Sequence, residues 1–428
     1  MNHTVAGSPQ LRGSITPPPD KSIAQRSAIF GLLHEGTSVI KNYSPAQDPQ
    51  SALKGVQQLG ARVEEINGEL RLTGVGRNKL ITPLQELDCG NSGTAMRLLS
   101  GVIAGSGLSV RLVGDASLTG RTMKRIIDPL EAMGAHILAR NSTHPPLHID
   151  GARRVQAVRI ELPIPSAQLK SCILLAGLFG EEPTTVLEPV PSRDHTERLL
   201  QLSISEEGGI RAIQSSREDG IPAQSYTIPS DFSAAAFWLV AGSIHPDAEL
   251  LLPGTGLNPT RSALLTVLKE MGADITIENE QLEGAEPVGD LYVRSSALKG
   301  IEIPESIIPN CIDELPIISV AACFAEGSTV IRGAGELRHK ETDRIMAIAH
   351  LLNAAGVRFE EFDDGLIIHG DPEFSFHSAT FQSFHDHRIA MAAAVLSLMG
   401  KKESTIRDAE SAAVSYPGFW EDLKGISH

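Results

Sequence analysis

The chain has 428 residues, of which 41% are hydrophobic, 21% charged and 4% aromatic, and its formal net charge is -15. That length suits two or three domains. The acidic balance excludes non-specific nucleic-acid binding and attachment to an anionic membrane surface, and so few aromatic rings exclude a platform for stacking bases or sugars.

Met1–Gln10 lacks the basic and apolar segments of a secretory signal, and no apolar run approaches the roughly 20 residues that cross a bilayer. Cys89, Cys172, Cys311 and Cys323 show no C-x-x-C pairing, and Cys172 and Cys323 lie in apolar helical runs as small hydrophobes. A reducing, cytoplasmic compartment is expected.

In chain order, one pattern recurs six times: a polar cap, an apolar helix rich in small residues, a turn and a β-branched strand. Asp20-Lys21-Ser22 leads into a predicted helix 23–33 and strand 37–40. Asn91-Ser92-Gly93 leads into helix 94–103 and strand 108–113, and Pro165-Ser166 into helix 167–178 and strand 184–187. Pro229-Ser230-Asp231 precedes helix 232–241 and strand 249–252, Ile312-Asp313 precedes helix 314–324 and strand 328–331, and His385-Asp386-His387 precedes helix 388–399 and strand 404–407. A second helix follows in most copies and stops at Gly60, Gly134, Gly272 or Gly356, where a positive φ is wanted; Glu207-Gly208-Gly209-Ile210 is a weaker copy of the same stop. Each such stop is followed by an alternating strand, the third of them at 274–278.

The repeating unit is therefore close to β-α-β-α-β-β, an α/β fold. Six copies divide into two domains of three units, 1–16 with 230–428 and 17–229. A first strand before Thr16 would return to pair in the other domain, Pro17-Pro18-Pro19 would stiffen one crossing, and two crossings make a hinge.

If the units are arranged alike, the six first-helix starts converge on one cleft between the domains. They would bring Lys21, Ser22, Arg26, Asn91, Gly93, Thr94, Ser166, Gln168, Lys170, Asp313 and Arg388 together, with Arg121 and Arg193 from loops. The stretch Leu337-Arg338-His339-Lys340-Glu341-Thr342-Asp343-Arg344 adds two acids and four potentially cationic side chains at a strand-to-helix junction. Guanidinium forks and helix N-termini suit phosphate and carboxylate. Ser22, Ser166, Asp313 and Asp386 also read as plain N-caps, and Arg26, Lys170 and Arg388 also suit surface helix positions. His385 and His387 have no third ligand at a recognisable spacing, so no metal is expected. Gly74-Val75-Gly76 and Gly254-Thr255-Gly256 lack the rest of a nucleotide-binding pattern and are turns.

Taken in order, several segments resemble the 5-enolpyruvylshikimate-3-phosphate synthase family, most closely its class II branch, over essentially the whole chain. They are Asp20-Lys21-Ser22-Ile23-Ala24-Gln25-Arg26-Ser27, Gly90-Asn91-Ser92-Gly93-Thr94-Ala95-Met96-Arg97, Gly114-Asp115-Ala116-Ser117-Leu118 with Arg121, and Pro165-Ser166-Ala167-Gln168-Leu169-Lys170-Ser171. Ser192-Arg193-Asp194-His195-Thr196-Glu197, Ile312-Asp313-Glu314, Lys340-Glu341-Thr342-Asp343-Arg344 and Asp386-His387-Arg388-Ile389-Ala390-Met391 complete the set. The resemblance implies two domains, each of three βαβαββ repeats around a pseudo-three-fold axis, as in the inside-out barrel of enolpyruvyl transferases.

It also implies the reaction: the 5-hydroxyl of shikimate 3-phosphate adds to C2 of phosphoenolpyruvate, and phosphate is then eliminated, with no cofactor and no metal. By similarity Asp313 is the base, Glu341 the acid, and Lys21 a third catalytic group. Lys21, Ser22, Arg26, Ser166, Ala167 (through its backbone), Gln168, Arg193, Asp313 and Lys340 would bind shikimate 3-phosphate. Lys21, Asn91, Gly93, Thr94, Arg121, Gln168, Arg344 and Arg388 would bind phosphoenolpyruvate. Within the junction stretch Lys340, Glu341 and Arg344 are the functional candidates, and His339 and Asp343 scaffolding. The chemistry asks for the same groups, because two polyanions side by side need several cations and the transfer needs an acid and a base. A monomer is expected, with no nucleic-acid or membrane partner.

The chain departs from the family pattern at Pro19, where Gly is usual, at Thr122, where Pro is usual, and at Leu98 and Val414, which stand where other members carry Pro and a phosphate-binding Lys. Two alternatives compete: the sister transferase acting on UDP-N-acetylglucosamine, whose reactive Cys is missing from 117–121 here, and a non-catalytic phosphometabolite-binding protein.

Overall fold

A computed structural model describes residues 1–428, which form two compact units. The first comprises Met1–Pro18, Pro229–Gln281 and Pro287–His428; the second comprises Pro19–Ile228 and Leu282–Glu286. The breaks lie beside the expected 16/17 and 229/230. The Leu282–Glu286 turn, which joins the strands Asp274–Glu283 and Glu286–Arg294, goes with the second unit, where the sequence reading had it in the first. Most of Glu278–Glu283 is exposed and polar, so no apolar alternation marked the strand beyond the expected 274–278.

In the second unit the helices Lys21–Leu33, Gly93–Ser106 and Ala167–Gly177 form the core, buried on nearly every side. A helix apolar all round must be covered all round. Small residues let the backbones approach: a Cβ on Gly101 would meet the Cys172 carbonyl oxygen at 2.2 Å, and one on Gly105 would meet the Phe179 ring at 2.5 Å. Gly101→Ala is therefore expected to lower stability by about 1–3 kcal/mol through overpacking, seen as a lower urea midpoint at unchanged m-value.

Each helix carries a four-stranded sheet of one topology. The first runs Tyr226–Thr227, Glu35–Lys41, Glu69–Val75, Arg62–Ile66, its opening pair parallel and the rest antiparallel. The second (Leu87–Asp88, Ser109–Val113, His144–Asp150, His136–Arg140) and the third (Arg159–Glu161, Thr184–Glu188, Ile210–Ser215, Ile204–Glu207) repeat it.

In the first unit Phe232–Ile244, Leu315–Cys323 and His387–Ser397 are buried at every position and pack on one another. Leu11–Ser14 pairs in parallel with Ala248–Leu251, as expected of an N-terminal strand that returns to the other domain. His3–Val5, not anticipated, closes the last sheet against Ser404–Ile406. The fold is mixed α/β throughout.

Several local expectations need correction. Asp20, not Ser22, caps the first helix, accepting from Ile23 N at 2.8 Å, and Ser22 lies inside it. Asp313 is not a cap either: it sits in a 3-10 turn, Ile312–Glu314, between Ile308–Cys311 and Leu315–Cys323, so its carboxylate is left to other partners. Gly60, Gly134, Gly272 and Gly356 do have positive φ, but Gly208-Gly209 is a hairpin turn, and Gln201 (φ 55°) ends the helix before it. The helical stretch Glu305–Cys323 is, by length and composition, apolar enough to cross a membrane, contrary to the sequence reading. Most of it is buried inside the unit, as in any all-apolar core helix.

Candidate functional site

In the first unit the 3-10 turn holds Asp313 where four cations reach it. Lys340 Nζ and Arg344 Nη1 stand 3.4 and 3.2 Å from Oδ1, and Arg261 Nη1 and Arg388 Nη2 stand 3.5 and 3.6 Å from Oδ2. Arg344 opens the helix Arg344–Ala355 and is fully buried. It donates to Glu341 Oε2 at 2.7 Å and through Nε to Asp386 Oδ2 at 2.8 Å. Burial alone would lower the pKa of this guanidinium, but the carboxylates of Glu341, Asp386 and Asp313 outweigh it and hold the pKa well above the ordinary value.

Asp386 caps the His387–Ser397 helix, accepting from Arg388 N at 2.8 Å. Burial raises its pKa, Arg344 and His387 lower it, and the net shift is downward. Arg388 also donates to the Asp313 carbonyl at 2.9 Å and lies 3.3 Å from the buried Glu314, which accepts from Ser233 as well. Asp343 caps the Arg344 helix and pairs with Arg338, a scaffolding role. The two outermost groups are Lys340 and Glu341, about a third exposed. Two carboxylates within a ring of cations can move protons while holding anions.

In the second unit the three helix starts are tied together. Ser92 donates to Gln25 Oε1 at 2.7 Å, and Gln25 donates to the Lys21 carbonyl. Gln168 donates to Thr94 Oγ1 at 2.7 Å and accepts from Arg97 at 2.5 Å. Arg121 donates to Asn91 Oδ1 at 2.8 Å and to Ser117 Oγ at 3.2 Å. Gly93 leaves the space for Arg97, whose Nη1 would lie 2.8 Å from a Cβ there. Gly93, Thr94, Arg97 and Gln168 thus form one cluster and Asn91 with Arg121 a second, with Ser166 capping the helix that Ala167 begins.

Lys21 Nζ lies 3.2 Å from Asp48. Arg26 is turned inward, to Thr196 Oγ1 (2.8 Å), Ser171 Oγ (3.0 Å) and the Ser22 carbonyl (3.1 Å). Burial lowers its pKa, Glu197 and Asp20 oppose this and the half-buried Arg193 nearby adds to it, for a net value of about 10.

The surface reading of Arg26, Lys170 and Arg388 fails, since all three are buried. Lys170 belongs to the scaffold, its Nζ 2.7 Å from both Glu188 and Glu197. His385 is exposed while His387 is buried, so the two do not make one ligand pair. Burial raises the pKa of all four thiols, that of Cys89 to about 12, which suits core packing and not a nucleophile. The sequence reading missed Arg261 and the partnership of Arg97 with Gln168. Arg97 follows Gly93 by four residues on the same helical face, a spacing that could have found it. Arg261 precedes a second helix, Ala263–Glu270, and so stands outside the first-helix starts.

A family model described as EPSP synthase (3-phosphoshikimate 1-carboxyvinyltransferase) matches residues 5–423. A Salinibacter ruber protein named 3-phosphoshikimate 1-carboxyvinyltransferase is 50% identical over 430 residues, covering 100% of both chains. A Chloroflexus aurantiacus protein of the same name is 47% identical over 426 residues, 98% of each. Among solved structures, an EPSP synthase from Acinetobacter baumannii has a TM-score of 0.89 at 39% identity, over 100% of this chain and 98% of that one. The enolpyruvyl transferase NikO from Streptomyces tendae has a TM-score of 0.74 at 17% identity over 99% and 96%, a likeness of fold alone.

Proposed function

The chain belongs to the EPSP synthase family, and from that premise we propose how its residues share the reaction. It transfers the enolpyruvyl group of phosphoenolpyruvate to the 5-hydroxyl of shikimate 3-phosphate, releasing phosphate and 5-enolpyruvylshikimate 3-phosphate, a step of aromatic amino acid biosynthesis.

Asp313 takes the proton of the 5-hydroxyl as its oxygen attacks C2 of phosphoenolpyruvate, and Glu341 delivers a proton to C3. The tetrahedral intermediate collapses when Glu341 removes a C3 proton and the C2–O bond to phosphate breaks, restoring the double bond. The observation that carries this reading is the pair of carboxylates, Asp313 and Glu341, joined through Arg344 and set among Lys340, Arg388 and Arg261.

Lys21, Asn91, Gly93, Thr94, Arg121, Gln168, Arg344 and Arg388 serve phosphoenolpyruvate. Its anionic groups compete with Glu341 for the Arg344 fork, so its arrival frees Glu341 for proton transfer. Lys21, Ser22, Ser166, the Ala167 N–H, Gln168, Arg193, Lys340 and Asp313 serve shikimate 3-phosphate, with Arg26 as the buried charge behind Ser22. The two domains follow the two compact units, Met1–Pro18 with Pro229–Gln281 and Pro287–His428, and Pro19–Ile228 with Leu282–Glu286, and the protein acts as a monomer in the cytoplasm.

With phosphoenolpyruvate present, phosphate release is expected on adding shikimate 3-phosphate and not on adding UDP-N-acetylglucosamine. Turnover with the UDP-sugar alone would overturn the acceptor assignment, and tight binding of shikimate 3-phosphate with no phosphate release would favour a binding protein.

A further inference from the structure

We propose that Arg261 is a positioning residue for the Asp313 base, the one cation that stays on that carboxylate while the others turn to substrate. The inference rests on the reading of Asp313 as the base. Arg261 lies among residues that the reaction leaves unassigned. Its backbone is fixed by the turn Asn258-Pro259-Thr260-Arg261, in which Asn258 Oδ1 accepts from Thr260 N at 2.9 Å and Oγ1 at 2.8 Å and the Asn258 carbonyl accepts from Arg261 N at 2.8 Å. Its side chain is 2% exposed, with Nη2 3.4 Å from Asp231 Oδ1 and Nη1 3.5 Å from Asp313 Oδ2. Asp231 is itself fixed, since it caps the Phe232–Ile244 helix by accepting from Ser233 N at 2.8 Å.

The charged groups facing Asp313 are Lys340 and Arg344 on Oδ1 and Arg261 and Arg388 on Oδ2, with Glu341 and Asp386 behind Arg344, Glu314 behind Arg388 and Asp231 behind Arg261. In the proposed reaction Lys340, Arg344 and Arg388 bind substrate anions, and each contact they make there weakens their hold on Asp313. Arg261, buried and anchored on Asp231, has no such second duty. It orients the carboxylate toward the 5-hydroxyl and keeps it ionised until it takes that proton. A bidentate-capable guanidinium between two acids does this better than an ammonium point charge.

The test compares Arg261→Gln, Arg261→Lys, Asp231→Asn and Asp313→Asn as full-length proteins, reading kcat, both KM values and the pH profile. Arg261→Gln is expected to lower kcat about tenfold to hundredfold, as small misplacements of a reacting group do. Both KM values should stay near wild type. Losing a cation beside a carboxylate favours its protonated form, so the acid limb of the kcat profile should move to higher pH. Arg261→Lys should recover part of both effects. Asp231→Asn keeps a competent cap and, by loosening Arg261, should move the limb the same way by less. A wild-type pH profile in Arg261→Gln, or a kcat loss that Arg261→Lys does not mend, overturns the role of Arg261. If Arg261→Gln does not fold, an unmoved acid limb in Asp231→Asn overturns it instead. Retained turnover in Asp313→Asn would instead refute the base assignment, a separate outcome.

Discussion

Asp313→Ala is expected to reduce kcat by about two to four orders of magnitude, the range for loss of a positioned general base. KM should behave differently. Removing Asp313 takes an anion from among Lys340, Arg344, Arg388 and Arg261, and those cations then meet the substrate anions with less competition. The apparent affinity for phosphoenolpyruvate should therefore hold or improve while turnover collapses, the pattern of a group that acts in the transition state and opposes ground-state binding.

Glu341→Gln separates the two carboxylates. It keeps a side chain of similar size beside Arg344 but cannot carry the C3 proton, so incorporation of solvent deuterium at C3 of phosphoenolpyruvate should stop. Near-normal kcat in both Asp313→Ala and Glu341→Gln would leave the acid–base scheme without support, and continued C3 exchange in Glu341→Gln would move that proton to another group.

The second large effect is on stability. Lys170→Met should cost about 3–5 kcal/mol, the range for breaking a buried ion pair and stranding its partner. Lys170 and both its acids, Glu188 and Glu197, have no exposed side-chain surface. Burial already raises the pKa of Glu197, and Lys170 is the main counterweight. Arg211, 3.3 Å from Glu188 and 3.8 Å from Glu197, can compensate only in part. Glu188 also accepts from Ser192 N at 2.9 Å, next to Arg193, so the loss should loosen the loop proposed to bind shikimate 3-phosphate. A denaturation midpoint close to wild type would show the triad to be dispensable. Recovery in Lys170→Met with Glu188→Gln would show the stranded charge to be the cause.

Much of this was legible in the chain alone. Six polar starts before six apolar helices determined the repeat, and the Gly stops after the second helices followed because a left-handed residue favours Gly whatever surrounds it. Such local signals depend on neighbours along the chain. Lys340, Glu341 and Arg344 stood out for the same reason, as charges crowded at one junction in an acidic protein.

What the tertiary structure decided is which charges meet. Asp313 and Asp386 looked alike as helix-start acids, yet Asp386 caps a helix and Asp313 does not, because a 3-10 turn precedes Leu315–Cys323 and turns the Asp313 carboxylate toward cations from three other segments. Lys170 and Arg388 both lie in the first turn of a first helix; one is enclosed by Glu188 and Glu197 and the other reaches Asp313. Ion pairing is set by distance in space, and Arg261 and Asp313 are far apart in the chain but 3.5 Å apart in the fold. Composition and period determined the repeats and the anion-binding character of their starts, and the resemblance of the segments to a known family implied the reaction. Only the packing of the three helices and their turns selected Asp313 as the acid the cations share, because Coulomb energy falls with separation through space and sequence spacing does not report it.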